Sequence, residues 1–187
     1  MGLNTLGIAH DFLSRRVKAG AFCIDGTAGR GKDTAFLCKL VGDGGKVISF
    51  DIQKEAIDST NALLEKEGLS HIAEVVLDSH ANMDKYAVPG TVDAVVFNFG
   101  YLPGGDHSIH TVPKSSIEAL NKSLELLKDG GVICACVYHG GDTGYEERDA
   151  LMDYFASIDP KKYTVLVSDF RNRPGDPPIA VFVFKEI

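Results

Sequence analysis

The sequence predicts an α/β fold with a seven-stranded, mostly parallel sheet that ends in an antiparallel hairpin. Three observations lead to this prediction. Short apolar runs rich in β-formers alternate with longer helical patterns, seven such runs occur, and no helical pattern separates the last two. Alternating strands and helices are typical of βαβ units, whose strands lie parallel. Because 187 residues fit one domain, we expect a single domain over residues 1–187.

Hydrophobic periodicity predicts the elements of the first half of the chain. An amphipathic helical pattern over residues 6–18 precedes the first strand. Two further helical patterns each connect one short apolar run to the next, which predicts two βαβ units. The predicted strands of this half are 21–25, 46–51 and 73–77, and the connecting helices are 32–41 and 54–67.

In the second half of the chain, predicted strands and helices continue to alternate until the last two strands, which no helix separates. Residues 170–178 join the last two strands, contain Pro174, Gly175, Pro177 and Pro178, and have no helical pattern. A connection without a crossover helix joins antiparallel strands, so these two strands should form a hairpin. The predicted strands of this half are 92–98, 132–138, 163–169 and 179–185, and the helices are 114–128 and 145–158.

Composition indicates a cytoplasmic protein. No apolar run approaches the roughly 18 residues of a membrane span, and the first residues lack the basic and then apolar pattern of a signal peptide. The four cysteines lie in apolar runs, so we expect reduced core thiols. A net charge of −7 argues against indiscriminate binding of polyanions, but a local basic patch can still hold a nucleic acid. Candidate patches, each also typical of a solvated surface, are Arg15, Arg16 and Lys18; Lys161 and Lys162; and Arg171 and Arg173.

A glycine turn leads from the first strand, which ends at Asp25, into the next helix. Such a turn lets a ligand approach the backbone and offers unpaired N–H groups at the helix start. The spacing from Gly26 to Gly31 and Lys32 nearly matches a phosphate-binding loop, but Asp33 stands where that loop has a Mg²⁺-binding hydroxyl. A dinucleotide site is a second alternative, although its Gly-x-Gly-x-x-Gly order is absent.

Acidic residues end the second and third strands. Asp51 can accept hydrogen bonds from both ribose hydroxyls, which favours nucleoside binding without selecting the cofactor. Asp78 is placed to accept from an adenine amino group. Alternatively, Asp78 and Ser79 cap the helix that follows.

The segment that leaves the fourth strand, residues 97–106, is the most specific part of the sequence. Ligands of open α/β sheets bind at this carboxyl edge. The polar Asn98, an aromatic residue and a proline here resemble the Asp/Asn-Pro-Pro-Tyr motif of amino-group methyltransferases, with Phe99 and Gly100 in place of the two prolines. A rigid exposed turn is the alternative interpretation.

Four segments together resemble the bacterial rRNA methylase family of class I methyltransferases, which use S-adenosylmethionine (SAM). They are the acidic strand end with its Gly29-x-Gly31 turn, then residues 50–53, 98–106 and 138–141. Members similar to this chain methylate the wobble uridine of tRNA, converting a 5-aminomethyl-2-thiouridine to the 5-methylaminomethyl form. The resemblance implies a Rossmann-like fold, SAM as cofactor, an RNA substrate and a homodimer. Arg30 and Lys32 depart from the Gly-Asn-Gly-His that members more often have in the turn.

Catalysis of methyl transfer depends chiefly on holding the nucleophile close to the methyl group and in line with it. We expect Asn98 and the Gly100 carbonyl to orient the target nitrogen and Tyr101 to stack on the base. No histidine spacing matches a zinc pattern, so no metal is expected. Candidates for accepting the released proton are Asp106, His107 and His139.

The expected cofactor contacts come from the glycine turn and the ends of the second, third and fourth strands. A small-molecule methyltransferase would share them but need no basic RNA surface, and a nucleotide-binding regulator would not need residues 98–106. The tRNA and rRNA substrates both stay open. The expected contacts are Asp25, Thr27, Gly29, Arg30, Gly31, Asp33, Thr34, Asp51, Ile52, Gln53, Asp78, Ser79, His80 and Asn98.

Overall fold

The structure, a computed structural model, describes residues 3–100, 113–139 and 144–186, in which helices and strands alternate. The helices are α1 (Thr5–Arg16), α2 (Lys32–Val41), α3 (Lys54–Glu67), α4 (Pro113–Leu126) and α5 (Gly144–Ser157), with a short 3₁₀ helix at His80–Lys85. The strands are β1 (Phe22–Asp25), β2 (Lys46–Asp51), β3 (Ala73–Leu77), β4 (Val92–Phe99), β5 (Leu127–Val137), β6 (Tyr163–Ser168) and β7 (Ile179–Lys185).

The sheet has seven strands in the order β3-β2-β1-β4-β5-β7-β6. Strands β1 to β5 pair in parallel, whereas β7 pairs antiparallel with both β5 and β6. The predicted fold and its antiparallel ending are therefore confirmed. The strand order reverses between β1 and β4, and in open α/β sheets such a reversal opens a crevice at the carboxyl edge.

Two apolar layers cover the faces of the sheet. One packs α1, α2 and α3 on the sheet and includes Leu13, Leu37 and Leu64. The other packs α4, α5 and the 3₁₀ helix on the opposite face and includes Leu120 and Leu151. Because the central strands are buried on both faces, they are continuous apolar runs in the sequence, which is why their positions could be predicted.

The boundary between α4 and β5 differs from the prediction. The helical pattern predicts a helix to residue 128 and a strand from 132, but β5 already begins at Leu127. Leu127 pairs with Val92 at the amino end of β4, and the register then shifts before Val132 pairs with Ala94. Tertiary pairing thus overrides the local helical pattern.

The start of the chain packs beside the last strand. Helix α1 begins after Asn4, whose side chain accepts a hydrogen bond from the Gly7 backbone N–H at 2.7 Å. The Phe12 ring of this helix lies 4.5 Å from that of Phe182 on β7.

In the described part of the chain, no helix is both long and apolar enough to cross a membrane.

Candidate active site

A cavity of about 350 Å³ lies at the carboxyl edge of the sheet, where the order of β1 and β4 reverses. Its size is that of pockets that hold small ligands. Most of the predicted cofactor contacts line it, namely Thr27, Gly29, Arg30, Asp33, Asp51, Ile52, Gln53, Asp78, Ser79, His80 and Asn98. The predicted catalytic residue Gly100 lines it as well.

Three predicted cofactor residues lie beneath this cavity rather than on its wall. Asp25 is fully buried and accepts hydrogen bonds from the Thr27 backbone N–H at 3.0 Å and from Thr34 Oγ1 at 2.6 Å. Gly31 has a φ of +78°, and a Cβ there would lie 2.9 Å from the Cα of Thr60. Asp25, Gly31 and Thr34 therefore fix the shape of the turn from below.

The Asp25 carboxyl is strongly perturbed. Burial raises its pKa from 3.8 to about 7, and the negative charges of Asp33 and Asp51 add to this effect. The hydrogen bonds from Thr34 and Thr27 act in the opposite direction. Asp25 therefore titrates near neutral pH, so its protonation affects the stability of the turn.

Asp51 connects the end of β2 to the glycine turn. One of its carboxylate oxygens accepts from the Gly29 backbone N–H at 3.0 Å, and the other accepts from the Gln53 N–H at 2.9 Å. Each carboxylate oxygen can accept a further hydrogen bond. Asp51 thus orders the turn and presents negative charge to the cavity.

Ser79 caps the 3₁₀ helix, as the alternative interpretation predicts for it, whereas Asp78 bonds to side chains of the residues that follow. The Ser79 side chain accepts from the Ala81 N–H, and Asp78 accepts from the Asn82 amide at 2.7 Å and the Tyr86 hydroxyl at 3.0 Å. The Asn82 hydrogen bond is the main reason that the pKa of Asp78 is lowered. Asp78 is therefore an ionised carboxylate that also lines the cavity.

His80 lines the cavity with a neutral imidazole ring. Its Nδ1 lies 3.1 Å from the Gly26 carbonyl oxygen, which can only accept, so Nδ1 carries the proton. Burial lowers the pKa of His80 and keeps the ring neutral. Its buried Nε2 has no hydrogen-bond partner within the described ranges. The neutral ring therefore keeps an acceptor at Nε2, which is itself buried.

Asn98 is anchored at the end of β4 by two neighbouring segments. Its backbone N–H donates to Thr27 Oγ1 at 2.7 Å, and its Nδ2 donates to Asp33 Oδ2 at 2.6 Å. The other carboxylate oxygen of Asp33 lies 2.7 Å from His10 Nε2 on α1. Asp33 is only 8% exposed, so this polar cluster lies largely out of water.

The remaining predicted catalytic residues are placed differently. Tyr101, Asp106 and His107 lie outside the described residues, as do residues 140–141 of the fourth resembling segment. His139 is described, but it is not among the residues that line the cavity, and its ring packs 6.0 Å from that of Tyr145. Its role as a proton acceptor stays a prediction.

Sequence reasoning missed Tyr138, which lines the cavity directly after β5. Burial raises the pKa of Tyr138 to about 12, so the phenol stays neutral. Gly100 has a φ of +136°, and a Cβ there would come within 3.0 Å of the Tyr138 Cβ. The position of Tyr138 as the last residue of a predicted parallel strand could have identified it, because all such strand ends meet at one edge. The other lining residues not predicted are Leu6, Gly26, Ala28, Lys32, Phe50 and Ser115.

Sheet register separates the predicted basic clusters. Ser168 pairs with Ala180, and Ile179 pairs with Val137, so residues 170–178 lie at the carboxyl edge of the sheet, the edge that carries the cavity. The pairing of Tyr163 with Lys185 puts residues 161–162 at the opposite edge. Helix α1 ends shortly before β1 begins, so its basic residues also lie at that opposite edge. Of the three clusters, Arg171 and Arg173 are thus the ones at the edge that carries the cavity.

The two arginines of this cluster differ in their contacts. Arg171 is 91% exposed, and its nearest carboxylate oxygen, on Asp169, is 3.8 Å away. The guanidinium of Arg173 lies 4.1 Å from the centre of the Phe170 ring and donates to the Leu3 carbonyl oxygen.

Among the residues the structure describes, no group of three potential metal ligands occurs.

Comparison with known proteins identifies relatives over nearly the whole chain. The model of the family described as "Putative rRNA methylase" matches residues 47–184. A tRNA (mnm(5)s(2)U34)-methyltransferase, chloroplastic, from Arabidopsis thaliana is 35% identical over 187 residues, covering 95% of this chain and 68% of that protein.

Two solved structures share the fold closely. An rRNA-methylase from Clostridium thermocellum is 45% identical, with a TM-score of 0.96 and 99% of each chain covered. A methyltransferase from Streptococcus mutans, solved in complex with SAH, is 33% identical, with a TM-score of 0.89 and 99% of each chain covered. SAH is what SAM becomes when its methyl group is transferred.

Proposed function

This chain belongs to the rRNA methylase family of SAM-dependent RNA methyltransferases, and we propose that it N-methylates the 5-aminomethyl group of the wobble uridine in tRNA. The observation that carries this proposal is the similarity to the chloroplast enzyme, which extends over 95% of the chain. The name of that enzyme specifies position 34 of tRNA and a methylaminomethyl product. An amide at the carboxyl edge of β4 supports an amino group as the methyl acceptor.

The cavity has features that fit SAM. The glycine turn, Asp51 and His80 line one space of about 350 Å³. In this proposal Asp51 accepts from the ribose hydroxyls and Asp78 accepts from the adenine amino group. When bound, SAM supplies a methyl group on a positively charged sulfur.

The residues around Asn98 then position the acceptor. A primary amine attacks only in its unprotonated form, and its lone pair must point at the methyl carbon. An acceptor oxygen that binds an N–H of the amine fixes the direction of that lone pair. We assign this role to Asn98 Oδ1 and the Gly100 carbonyl. Tyr138 lines the cavity and would form an aromatic wall for the base, and stacking by Tyr101 stays a prediction from the sequence.

The substrate is tested by methyl transfer from labelled SAM to bacterial tRNA that lacks the final methylation. We expect label in this tRNA, at a nucleoside whose mass rises by one methyl group from 5-aminomethyl-2-thiouridine. The same assay is run on tRNA whose position 34 carries an unmodified uridine, which offers no amine. This control should stay unlabelled.

Ribosomal RNA and a panel of small amines are assayed in parallel, since both remain alternative substrates. Label in rRNA or in a free amine, with none in the aminomethyl tRNA, would overturn the proposed substrate. It would leave the SAM-dependent methyltransferase assignment intact, because that rests on the family.

A further inference from the structure

Three polar side chains, one each from α1, α2 and β4, form a hydrogen-bonded series that connects α1 to the end of β4. His10 Nε2 lies 2.7 Å from Asp33 Oδ1, and Asn98 Nδ2 lies 2.6 Å from Asp33 Oδ2. Both carboxylate oxygens of Asp33 are therefore engaged within the protein. The sequence-based expectation that Asp33 contacts the cofactor directly stays a prediction.

Each of these three side chains is held in place by further contacts. The His10 ring stacks on Phe36 at 3.9 Å with the planes only 7° apart. Asp33 is almost buried in the first turn of α2. The backbone of Asn98 is bonded to Thr27. Packing thus leaves little freedom for the three polar groups to rearrange.

The Asp33 carboxylate determines the orientation of the Asn98 amide. An ionised carboxylate can only accept hydrogen bonds, so the amide must turn its Nδ2 toward Asp33. Its Oδ1 then lies on the side away from Asp33, and Asn98 lines the cavity. Within the described residues no donor contacts Oδ1. If the amide were turned over, it would present N–H groups to the cavity and could not accept from an amine.

We propose that Asp33 and His10 are positioning residues, which hold the Asn98 amide so that its oxygen faces the amine to be methylated. His10 donates to Asp33 and keeps the carboxylate aligned with Nδ2. The inference rests on the proposed function, in which Asn98 Oδ1 orients the attacking nitrogen. Neither Asp33 nor His10 needs to touch the substrate.

Exchanging the side chains of Asp33 and Asn98, singly and together, tests this proposal. In Asp33→Asn the oxygen of the introduced amide stays with the donor His10, so its Nδ2 faces Asn98. The Asn98 amide must then turn over to accept from it. We therefore expect kcat to fall by about 10²-fold, the cost typical of a misplaced reacting group, with little change in the Kd for SAM. In Asn98→Asp two carboxylates would face each other at hydrogen-bond distance, which should also lower kcat.

The double variant Asp33→Asn/Asn98→Asp should recover a large part of the activity. The amide at position 33 then donates to the carboxylate at position 98, whose second oxygen again faces the cavity as an acceptor. His10→Phe preserves the stacking on Phe36 but removes the donor, so it should lower kcat and leave KM for RNA nearly parental. Asp43→Asn is a matched control, because Asp43 forms a similar pair with His71, at 3.0 Å, on the exposed surface. It should leave kcat unchanged.

Two outcomes would overturn the proposal. One is a double variant that is folded by circular dichroism but no more active than the worse single variant. The other is an Asp33→Asn variant with parental kcat and a raised Kd for SAM, which would make Asp33 a cofactor ligand. All variants are compared on whichever substrate the parent methylates, so a failure of the proposed tRNA substrate is recognised separately, in the parent enzyme.

Discussion

Burial and hydrogen bonding give the four carboxylates of the site different tasks. Asp25 is buried beneath the turn, and its pKa is raised to about 7. Asp51 accepts hydrogen bonds from two backbone N–H groups, and Asp78 is ionised and accepts from the Asn82 and Tyr86 side chains. Asp33 is bonded on both sides by His10 and Asn98. Four residues of one chemical type are therefore placed in different surroundings, and we expect them to have different roles.

The raised pKa of Asp25 predicts how folding stability depends on pH. The folded state keeps a proton on Asp25 that the unfolded chain loses near pH 3.8, so the associated stability is complete below that pH and lost as pH rises through about 7. Asp25→Asn removes this titration while the amide oxygen can still accept from Thr27. The decline in Tm from about pH 5 to about pH 8 should therefore be smaller in the variant than in the parent.

Thermal melts across this pH range measure the effect. Asp153→Asn, at an exposed aspartate, serves as the control and should follow the parent curve. Parallel curves for Asp25→Asn and the parent would contradict the raised pKa.

At the scale of elements, strands that end in polar residues build the site. Their carboxyl ends were predictable, because the central strands are continuous apolar runs followed by Asp25, Asp51 and Asn98. The helix capped by Ser79 was recognised only as an alternative, since its six residues are too short to show a helical period. The contact between His10 and Asp33 was not predictable, because it joins residues 23 positions apart through tertiary packing.

Gly31 is predicted to be essential to the turn between β1 and α2. Alanine there would adopt an unfavourable φ of +78° and bring its Cβ within 2.9 Å of the Thr60 Cα. Gly31→Ala should lower the free energy of unfolding by about 1–3 kcal/mol and weaken SAM binding, because the turn must move away from α3. Urea denaturation and calorimetric titration measure the two effects.

Gly68→Ala is the matched control for this substitution. Gly68 has a similar φ of +71°, but a Cβ there meets nothing within 4 Å. The variant should show the smaller cost of the left-handed conformation alone, about 1–2 kcal/mol, with unchanged SAM affinity. Equal decreases of stability and of SAM affinity in both variants would show that the approach of Gly31 to Thr60 has no special role.

At the scale of the whole molecule, the reversal of strand order between β1 and β4 brings the functional segments to one edge. Alternation of strands and helices was enough to predict this architecture. The antiparallel ending, predicted from the loop at 170–178, places Arg171 and Arg173 at the edge that carries the cavity. The single domain and the homodimer stay predictions.

The net charge of −7 means that RNA must be attracted locally, and Arg171 is a highly exposed basic residue at the edge of the sheet that carries the cavity. Arg171→Ala should raise the KM for RNA and reduce the slope of log K against log salt by up to about 0.9 for each phosphate that is no longer neutralised. SAM affinity should not change. Arg173 is unsuited to this test because it also anchors the start of the chain through Leu3.

Lys161→Ala, at the opposite edge of the sheet, is the control for this prediction and should keep the parental salt slope. Identical slopes for Arg171→Ala and the parent would place the RNA surface elsewhere.

The central claim is that the Asn98 amide oxygen aligns the attacking nitrogen at the carboxyl edge of β4. Its most direct test is the kcat of Asn98→Ala in methyl transfer to aminomethyl tRNA, measured beside the Kd for SAM. Removal of an acceptor that acts mainly in the transition state should lower kcat by about 10²-fold or more and leave the Kd nearly unchanged. Asn121→Ala, at an exposed asparagine on α4, should behave as the parent. An Asn98→Ala enzyme with parental kcat on this tRNA would contradict the claim.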